Sequence, residues 1–83
     1  MPYAAGDRVI ADIGKWLVDE GLRQQPQKLM LPGKVVTFAS EPDWTYSVLL
    51  DIPVTLDGKQ ISIVERLRED RLTALLGPPG LPP

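Results

Sequence analysis

The chain has 83 residues, a formal net charge of −2, and neither cysteine nor histidine. This length supports one domain with a thin stability margin, and the composition excludes disulfides and the usual cysteine- or histidine-based zinc, haem and iron–sulfur sites. The acidic balance argues against a dedicated nucleic-acid binder, and no stretch approaches the ~20 apolar residues of a membrane span.

The first residues, 1–7, have neither a basic start nor an apolar run, so we do not expect a signal peptide. The default expectation is a cytoplasmic protein, or a component of a particle that is assembled in the cytoplasm.

Residues 8–13 follow a Gly6-Asp7 turn signal and place apolar side chains at every second position, which favours a half-buried strand. A helix is the alternative, since Asp7 suits an N-cap and Gly21 a C′ position. Gly14 would lie inside that helix and costs ~1 kcal/mol relative to alanine there, so we favour the strand. We therefore predict that residues 14–31 form a long loop after the first strand, with a short helix as the open alternative.

The β pattern strengthens after Pro32-Gly33, which predicts a turn. Residues 34–39 are rich in β-branched and aromatic side chains, and residues 40–43 break the run. Residues 44–52 alternate, and this predicts a strand with one buried face formed by Tyr46, Val48, Leu50 and Ile52.

Asp57-Gly58 lies between two short β runs and predicts a hairpin, because both residues tolerate positive φ. Pro53 predicts a bend or an edge strand just before it. Residues 65–76 allow two interpretations. One is a helix, and the other is a short helical turn at residues 69–71 followed by a closing strand at residues 72–75.

These blocks, in this order, resemble the small five-stranded barrels of the Src-homology-3-like class, which includes Tudor and KOW domains. The residues that carry the resemblance are Gly6-Asp7-Arg8-Val9, Pro32-Gly33-Lys34-Val35-Val36, residues 46–51 and Arg68-Glu69-Asp70-Arg71-Leu72. The resemblance implies a mainly β domain, a small five-stranded barrel, over residues 1–76. Residues 77–83 are rich in proline and glycine, which predicts an extended C-terminal tail. A barrel of this class fixes a fold and not a function.

Five aromatic residues are the most informative candidates for a binding site. In Tudor-type barrels, rings at the strand rims hold methylated cations by cation–π attraction, and Trp44 and Tyr46 share one face of a predicted strand. Asp43 supplies a nearby acid, and Trp16 is a further candidate ring. The alternative is that Tyr46 and Phe38 belong to the core while Trp44 covers the end of the barrel.

Two charged sets are weaker candidates. Basic side chains that would form a phosphate-binding face in a KOW-like barrel are Arg8, Lys34, Lys59 and Arg71. Eleven acidic against nine basic residues favour a solvated surface instead. No spacing among Asp12, Asp43, Asp51 and Asp57 indicates a catalytic carboxylate pair.

A further resemblance is to the short trimethoprim-resistant dihydrofolate reductases, which build one active site at the centre of a tetramer. Gly6-Asp7-Arg8-Val9, Tyr46-Ser47-Val48 and Gln60-Ile61 are similar to their motifs. Their pore motif continues with tyrosine, whereas this chain has Ser62, which puts the stacking surface for cofactor and folate in doubt.

The resulting hypothesis is a non-enzymatic protein–protein interaction or assembly module without cofactor or metal, in a homo- or hetero-oligomer or a phage-like particle. Its C-terminal tail would dock on a neighbouring subunit as a polyproline II strand through Pro78, Pro79, Leu81 and Pro82. A binding module for RNA, or for a peptide or a modified side chain, is the alternative.

Overall fold

The computed structural model describes residues 3–75. In chain order the elements are β1 (Arg8–Asp12), α1 (Ile13–Asp19), β2 (Met30–Ala39), β3 (Thr45–Leu56), β4 (Lys59–Arg68), a 3₁₀ turn (Glu69–Arg71) and β5 (Leu72–Ala74). The strands form one antiparallel sheet in the order β4-β3-β2-β1-β5, which confirms the mainly β prediction. Within residues 3–75 no strand pairing joins β4 to β5, so the sheet is open.

The predicted first strand is confirmed as β1, but a helix follows it directly where we favoured a loop. The carboxylate of Asp12 accepts a hydrogen bond from the backbone N–H of Lys15 at 3.0 Å and so caps α1. Asp12 therefore has the capping role that the helical interpretation gave to Asp7. Gly21 has φ 76° and lies just beyond the C-cap residue Glu20, as a C′ glycine does.

Gly14 is buried in the first turn of α1 because another part of the chain crosses over it. A Cβ at this position would lie 1.7 Å from the carbonyl oxygen of Gln27. The backbone N–H groups of Ile13 and Gly14 both donate to the carbonyl of Leu29. The glycine that argued against a helix is thus required by tertiary packing, which outweighs its poor helix propensity.

The turn predicted at Pro32-Gly33 is wrong, since both residues lie inside β2. Gly33 pairs with Val9 on one side and Leu50 on the other. A Cβ on Gly33 would lie 2.6 Å from the carbonyl oxygen of Leu49 and from Cγ1 of Val48. Here glycine permits a close approach of neighbouring backbone rather than a change of direction.

Strand β3 alternates as predicted as far as Leu50, with Tyr46, Val48 and Leu50 buried. Ile52 is instead 77% exposed, which corrects its predicted place on the buried face. Between the pairs Leu49–Ile63 and Val54–Ile61, β3 has four residues opposite the single residue Ser62. This irregularity contains Pro53, where we predicted a bend or an edge strand.

The hairpin between β3 and β4 turns at Asp57-Gly58, as predicted. Both residues have positive φ, 52° and 80°, and Leu56 pairs with Lys59 across the turn. At the other end of β4, residues 65–66 lie opposite the single residue Ser47, and Arg66 has φ 62°. The 3₁₀ turn and β5 then follow, which confirms the second of the two interpretations of residues 65–76.

The core lies between α1 and the inner face of the sheet. Its buried side chains are Val9, Ala11, Ile13, Trp16, Leu17, Val35, Tyr46, Val48, Leu50, Val64, Leu67 and Leu72. Among the described residues, no helix has the length and apolar character needed to cross a bilayer.

Candidate functional site

A pocket of about 280 Å³ lies where the start of β3 meets the 3₁₀ turn. We call it the Trp44 pocket, and its lining residues are Asp43, Trp44, Arg68, Glu69 and Asp70. The loop that precedes β3 supplies the first two, and the end of β4 with the 3₁₀ turn supplies the other three. The antiparallel pairing of Thr45 with Arg68 brings the two walls together.

Trp44 belongs to a cluster of aromatic rings at this end of the sheet. Its ring is stacked on that of Tyr46, with the centroids 6.3 Å apart and the planes at 18°. Phe38 lies opposite Tyr46 on β2, and its ring centroid is 5.4 Å from that of Trp44. Tyr46 is buried, whereas Trp44 is 37% and Phe38 49% exposed. Solvent therefore meets the outer two rings of the cluster.

Tyr46, at the start of β3, connects the two walls of the pocket through a hydrogen bond of its hydroxyl group. Its hydroxyl donates to Oε1 of Glu69 at 3.0 Å and accepts from the backbone N–H of Tyr3 at 3.2 Å. Burial raises the pKa of the Tyr46 phenol, and the hydrogen bond to Glu69 raises this pKa further. The phenol is therefore protonated at neutral pH and remains a donor to the Glu69 carboxylate.

The charge around the pocket is mainly negative. Three carboxylates, those of Asp43, Glu69 and Asp70, line the pocket with one guanidinium, that of Arg68. A second guanidinium lies close by, since Nη1 of Arg71 is 3.4 Å from Oδ1 of Asp70. Nε of Arg68 is 3.9 Å from Oδ1 of Asp70, and both side chains are largely exposed, so this pair is loose. An exposed indole that lines a pocket together with three carboxylates is suited to a cation, which the ring attracts through its quadrupole and the acids through their charge.

The structure brings together some of the residues that the sequence indicated and separates others. Trp44 and Asp43 line the pocket, and Tyr46 lies directly under Trp44. Trp16 is in the core, where its indole N–H donates to the backbone carbonyl of Glu65 at 2.7 Å.

Sequence reasoning missed the wall formed by Arg68, Glu69 and Asp70. The motif that contains these residues was visible, but local patterns give no signal that it faces Asp43 and Trp44 across the sheet.

The four basic residues considered for a phosphate site do not converge. Arg8 and Lys34 are cross-strand neighbours, but Arg8 makes a two-pronged ion pair with Asp51. Lys59 follows the β3–β4 turn. Arg71 donates from Nε and Nη2 to the carboxylate of Asp19 at 2.8 and 3.1 Å. Two of the four cations are thus already neutralised within the fold.

A second pocket, of about 350 Å³, lies beside α1 and is lined by Lys15, Val18, Asp19, Pro26 and Arg71. The charged side chains of Asp19 and Arg71 in this pocket are paired with each other, and each is about one-fifth exposed. Within residues 3–75, no cluster of three or more carboxylates is placed to hold a metal ion, those of the Trp44 pocket included.

Comparison of the chain with protein-family models, with curated proteins and with solved structures gives no match.

Proposed function

We propose that this protein is a non-enzymatic interaction module, and that the Trp44 pocket receives a cationic side chain of a partner protein. The observation that carries the proposal is the position of the half-exposed Trp44 ring among the carboxylates of Asp43, Glu69 and Asp70. Tryptophan is the aromatic side chain that attracts a cation most strongly. A volume of about 280 Å³ admits the end of one lysine or arginine side chain.

The arrangement of the rings defines what the pocket selects. Tyr46 is buried and does not line the pocket, so the ring wall comes from Trp44. A pocket with one ring wall and several acids distinguishes a charged side chain from a neutral one. We therefore expect discrimination by charge to exceed discrimination by methylation state, and single-site affinity to be modest, since an exposed cation–π contact contributes about 0.5–1 kcal/mol.

The test is a titration with short glycine-flanked peptides that carry lysine, trimethyllysine or acetyllysine at the centre, followed by tryptophan fluorescence. The two cationic peptides should bind, and acetyllysine should not. Binding should weaken with added salt, because the carboxylates act through charge. Equal binding of the acetyllysine peptide would contradict the proposal.

Matched variants separate the pocket from the rest of the surface. We expect Trp44→Ala to abolish binding and Asp43→Asn to weaken it severalfold, whereas Glu41→Gln, an exposed acid of the same loop outside the pocket, should leave binding unchanged. An equal loss with Glu41→Gln would assign the effect to general charge and not to the pocket.

We also propose that the domain is an Src-homology-3-like barrel and that it assembles with other subunits. The strand order β4-β3-β2-β1-β5 supports an Src-homology-3-like barrel, because it places a short β5 beside β1 and the β3–β4 hairpin at the opposite edge. The predicted docking residues Pro78, Pro79, Leu81 and Pro82 lie outside the described residues. We propose that residues 77–83 bind a neighbouring subunit in an oligomer or phage-like particle, in which case their deletion should weaken association without changing the circular dichroism of the folded domain.

A further inference from the structure

Strand β4 forms one edge of the sheet, and part of that edge is unusually free of charge. Within residues 3–75 its strand neighbour is β3, on one side. Residues 60–64, with the sequence Gln-Ile-Ser-Ile-Val, carry no charged side chain. Sheet edges in monomeric proteins are commonly protected by charge, proline or bulges, because an uncovered edge can pair with another strand.

The uncharged segment, residues 60–64, is bounded by a charged residue at each end. Lys59 precedes it at the β3–β4 turn, and Glu65 follows it. At Glu65 the backbone carbonyl accepts the indole N–H of Trp16, and at Arg66 the chain adopts φ 62° in a bulge. Another strand could therefore pair regularly with β4 only along residues 59–65. This segment is as long as an ordinary strand.

Exposed aliphatic side chains lie next to this edge. Leu49 and Ile63 are cross-strand partners on the face opposite to Val48 and Val64, and both are exposed. Ile61 lies two residues from Ile63 and is partly buried against the core. An added strand beside β4 would cover part of the exposed Ile63 side chain.

Residues 59–65 are complementary to the same residues of a second copy when the two strands run antiparallel with Ser62 opposite Ser62. Ile61 of one copy then lies opposite Ile63 of the other, and Gln60 lies opposite Val64. In the same register Lys59 lies opposite Glu65, once at each end of the paired segment. Apolar and opposite-charge pairs directly across a ladder stabilise it, so both the uncharged centre and the charged ends favour this one register.

We propose that a second copy of this chain pairs with the β4 edge, antiparallel and centred on Ser62, to give a two-fold symmetric dimer with a continuous sheet. A two-fold axis requires each contact to occur twice, which the Lys59–Glu65 pairs satisfy. In this register Ile61 of the second copy lies opposite the exposed Ile63 of the first. This interface uses neither wall of the Trp44 pocket, so it does not depend on the proposed function.

The experiment is analytical ultracentrifugation of the purified chain over a wide concentration range, with charge variants of both end residues. Lys59→Glu or Glu65→Lys alone places like charges opposite one another at both ends, and each should weaken the dimer about tenfold. The double variant Lys59→Glu/Glu65→Lys restores opposite charges and should return the dissociation constant to within about twofold of the original.

Further variants test the centre of the register and the specificity of the charge effect. Ser62→Lys places two ammonium groups at the axis and should also weaken the dimer. Lys28→Glu and Glu41→Lys make the same charge changes on loops outside the proposed paired segment, residues 59–65, and should have no effect. A monomer at every concentration, a dimer insensitive to the single variants, or a failure of the double variant to restore pairing would each overturn the proposal.

Discussion

The hydroxyl of Tyr46 donates a hydrogen bond to Oε1 of Glu69 at 3.0 Å, although the two residues are 23 positions apart. This contact joins the start of β3 to the 3₁₀ turn, which carry the two walls of the Trp44 pocket. The same hydroxyl accepts the backbone N–H of Tyr3, so one buried phenol connects three segments of the chain. The shape of the pocket therefore depends on a group that does not itself line it.

Replacement of Tyr46 by phenylalanine should remove this connection while it preserves the ring packing. We expect Tyr46→Phe to lower the free energy of unfolding by roughly 1–2 kcal/mol, because the hydrogen bond is to a carboxylate. Urea unfolding followed by circular dichroism measures the change. Tyr3→Phe, which removes a hydrogen bond to the backbone carbonyl of Leu72, should cost less. Equal stability of Tyr46→Phe and the unmodified chain would contradict this role.

Arg66 should show an unusual preference for glycine over alanine. Its φ of 62° is unfavourable for a residue with a Cβ, and its guanidinium is held by Glu20 at 2.9 and 2.5 Å. Both Arg66→Ala and Arg66→Gly lose the ion pair, but glycine also relieves the backbone. Arg66→Gly should therefore be more stable than Arg66→Ala by about 1 kcal/mol.

Arg68 provides the matched control for this comparison, since its backbone is extended, with φ −70°. At Arg68 the order should reverse, with alanine more stable than glycine in thermal unfolding. If alanine is more stable than glycine at Arg66 as well, the left-handed backbone at Arg66 has no measurable cost.

Gly14→Ala distinguishes helix propensity from packing. Propensity alone predicts that alanine stabilises α1 by about 1 kcal/mol. The crossing of Gln27 over Gly14 predicts the opposite, a loss of roughly 1–3 kcal/mol, because backbone must move to admit the methyl group. A shift of the urea midpoint to lower concentration supports the packing account, and a shift to higher concentration contradicts it.

The Asp19–Arg71 pair should make stability depend on pH. The hydrogen bonds from Arg71 hold the pKa of the Asp19 carboxyl below its ordinary value. A carboxyl with a lowered folded-state pKa stabilises the fold above its unfolded-state pKa, and that contribution is lost as the pH falls through the folded-state value. We expect Asp19→Asn to be less stable than the unmodified chain by roughly 1–2 kcal/mol at neutral pH.

This difference should shrink as the pH falls below ~4, because the Asp19 carboxyl of the unfolded chain is protonated there while that of the folded chain becomes protonated only at lower pH. Urea unfolding at a series of pH values measures it. A difference that stays constant down to pH ~3 would show that the charge of Asp19 does not contribute.

The parts of the fold that were predictable are those set by local chemistry. The Asp57-Gly58 turn needs positive φ at both residues, and the alternation through Tyr46, Val48 and Leu50 needs one buried face. The parts that were missed depend on distant neighbours. Gly14 and Gly33 resemble a helix breaker and a turn residue, yet each is glycine because another backbone segment passes close to it.

The candidate site shows the same division. The sequence indicated Trp44, Tyr46 and Asp43, because an aromatic residue pair beside an acid is a local pattern. It gave no way to learn that Glu69 and Asp70 line the same pocket as Trp44, since this depends on how β3 pairs with β4. Trp16 was indistinguishable from Trp44 by residue type, and its place in the core follows from the packing of α1 on the sheet.

The most direct test of the central claim is a titration of the isotope-labelled protein with the trimethyllysine peptide, followed by two-dimensional amide and indole N–H NMR. If the Trp44 pocket binds the cation, the largest shifts will come from the Trp44 indole and from the amides of Asp43 and residues 68–70. The Trp16 indole, held by Glu65 in the core, will remain unchanged. Absence of shifts at saturating peptide, or shifts centred away from these residues, would contradict the account.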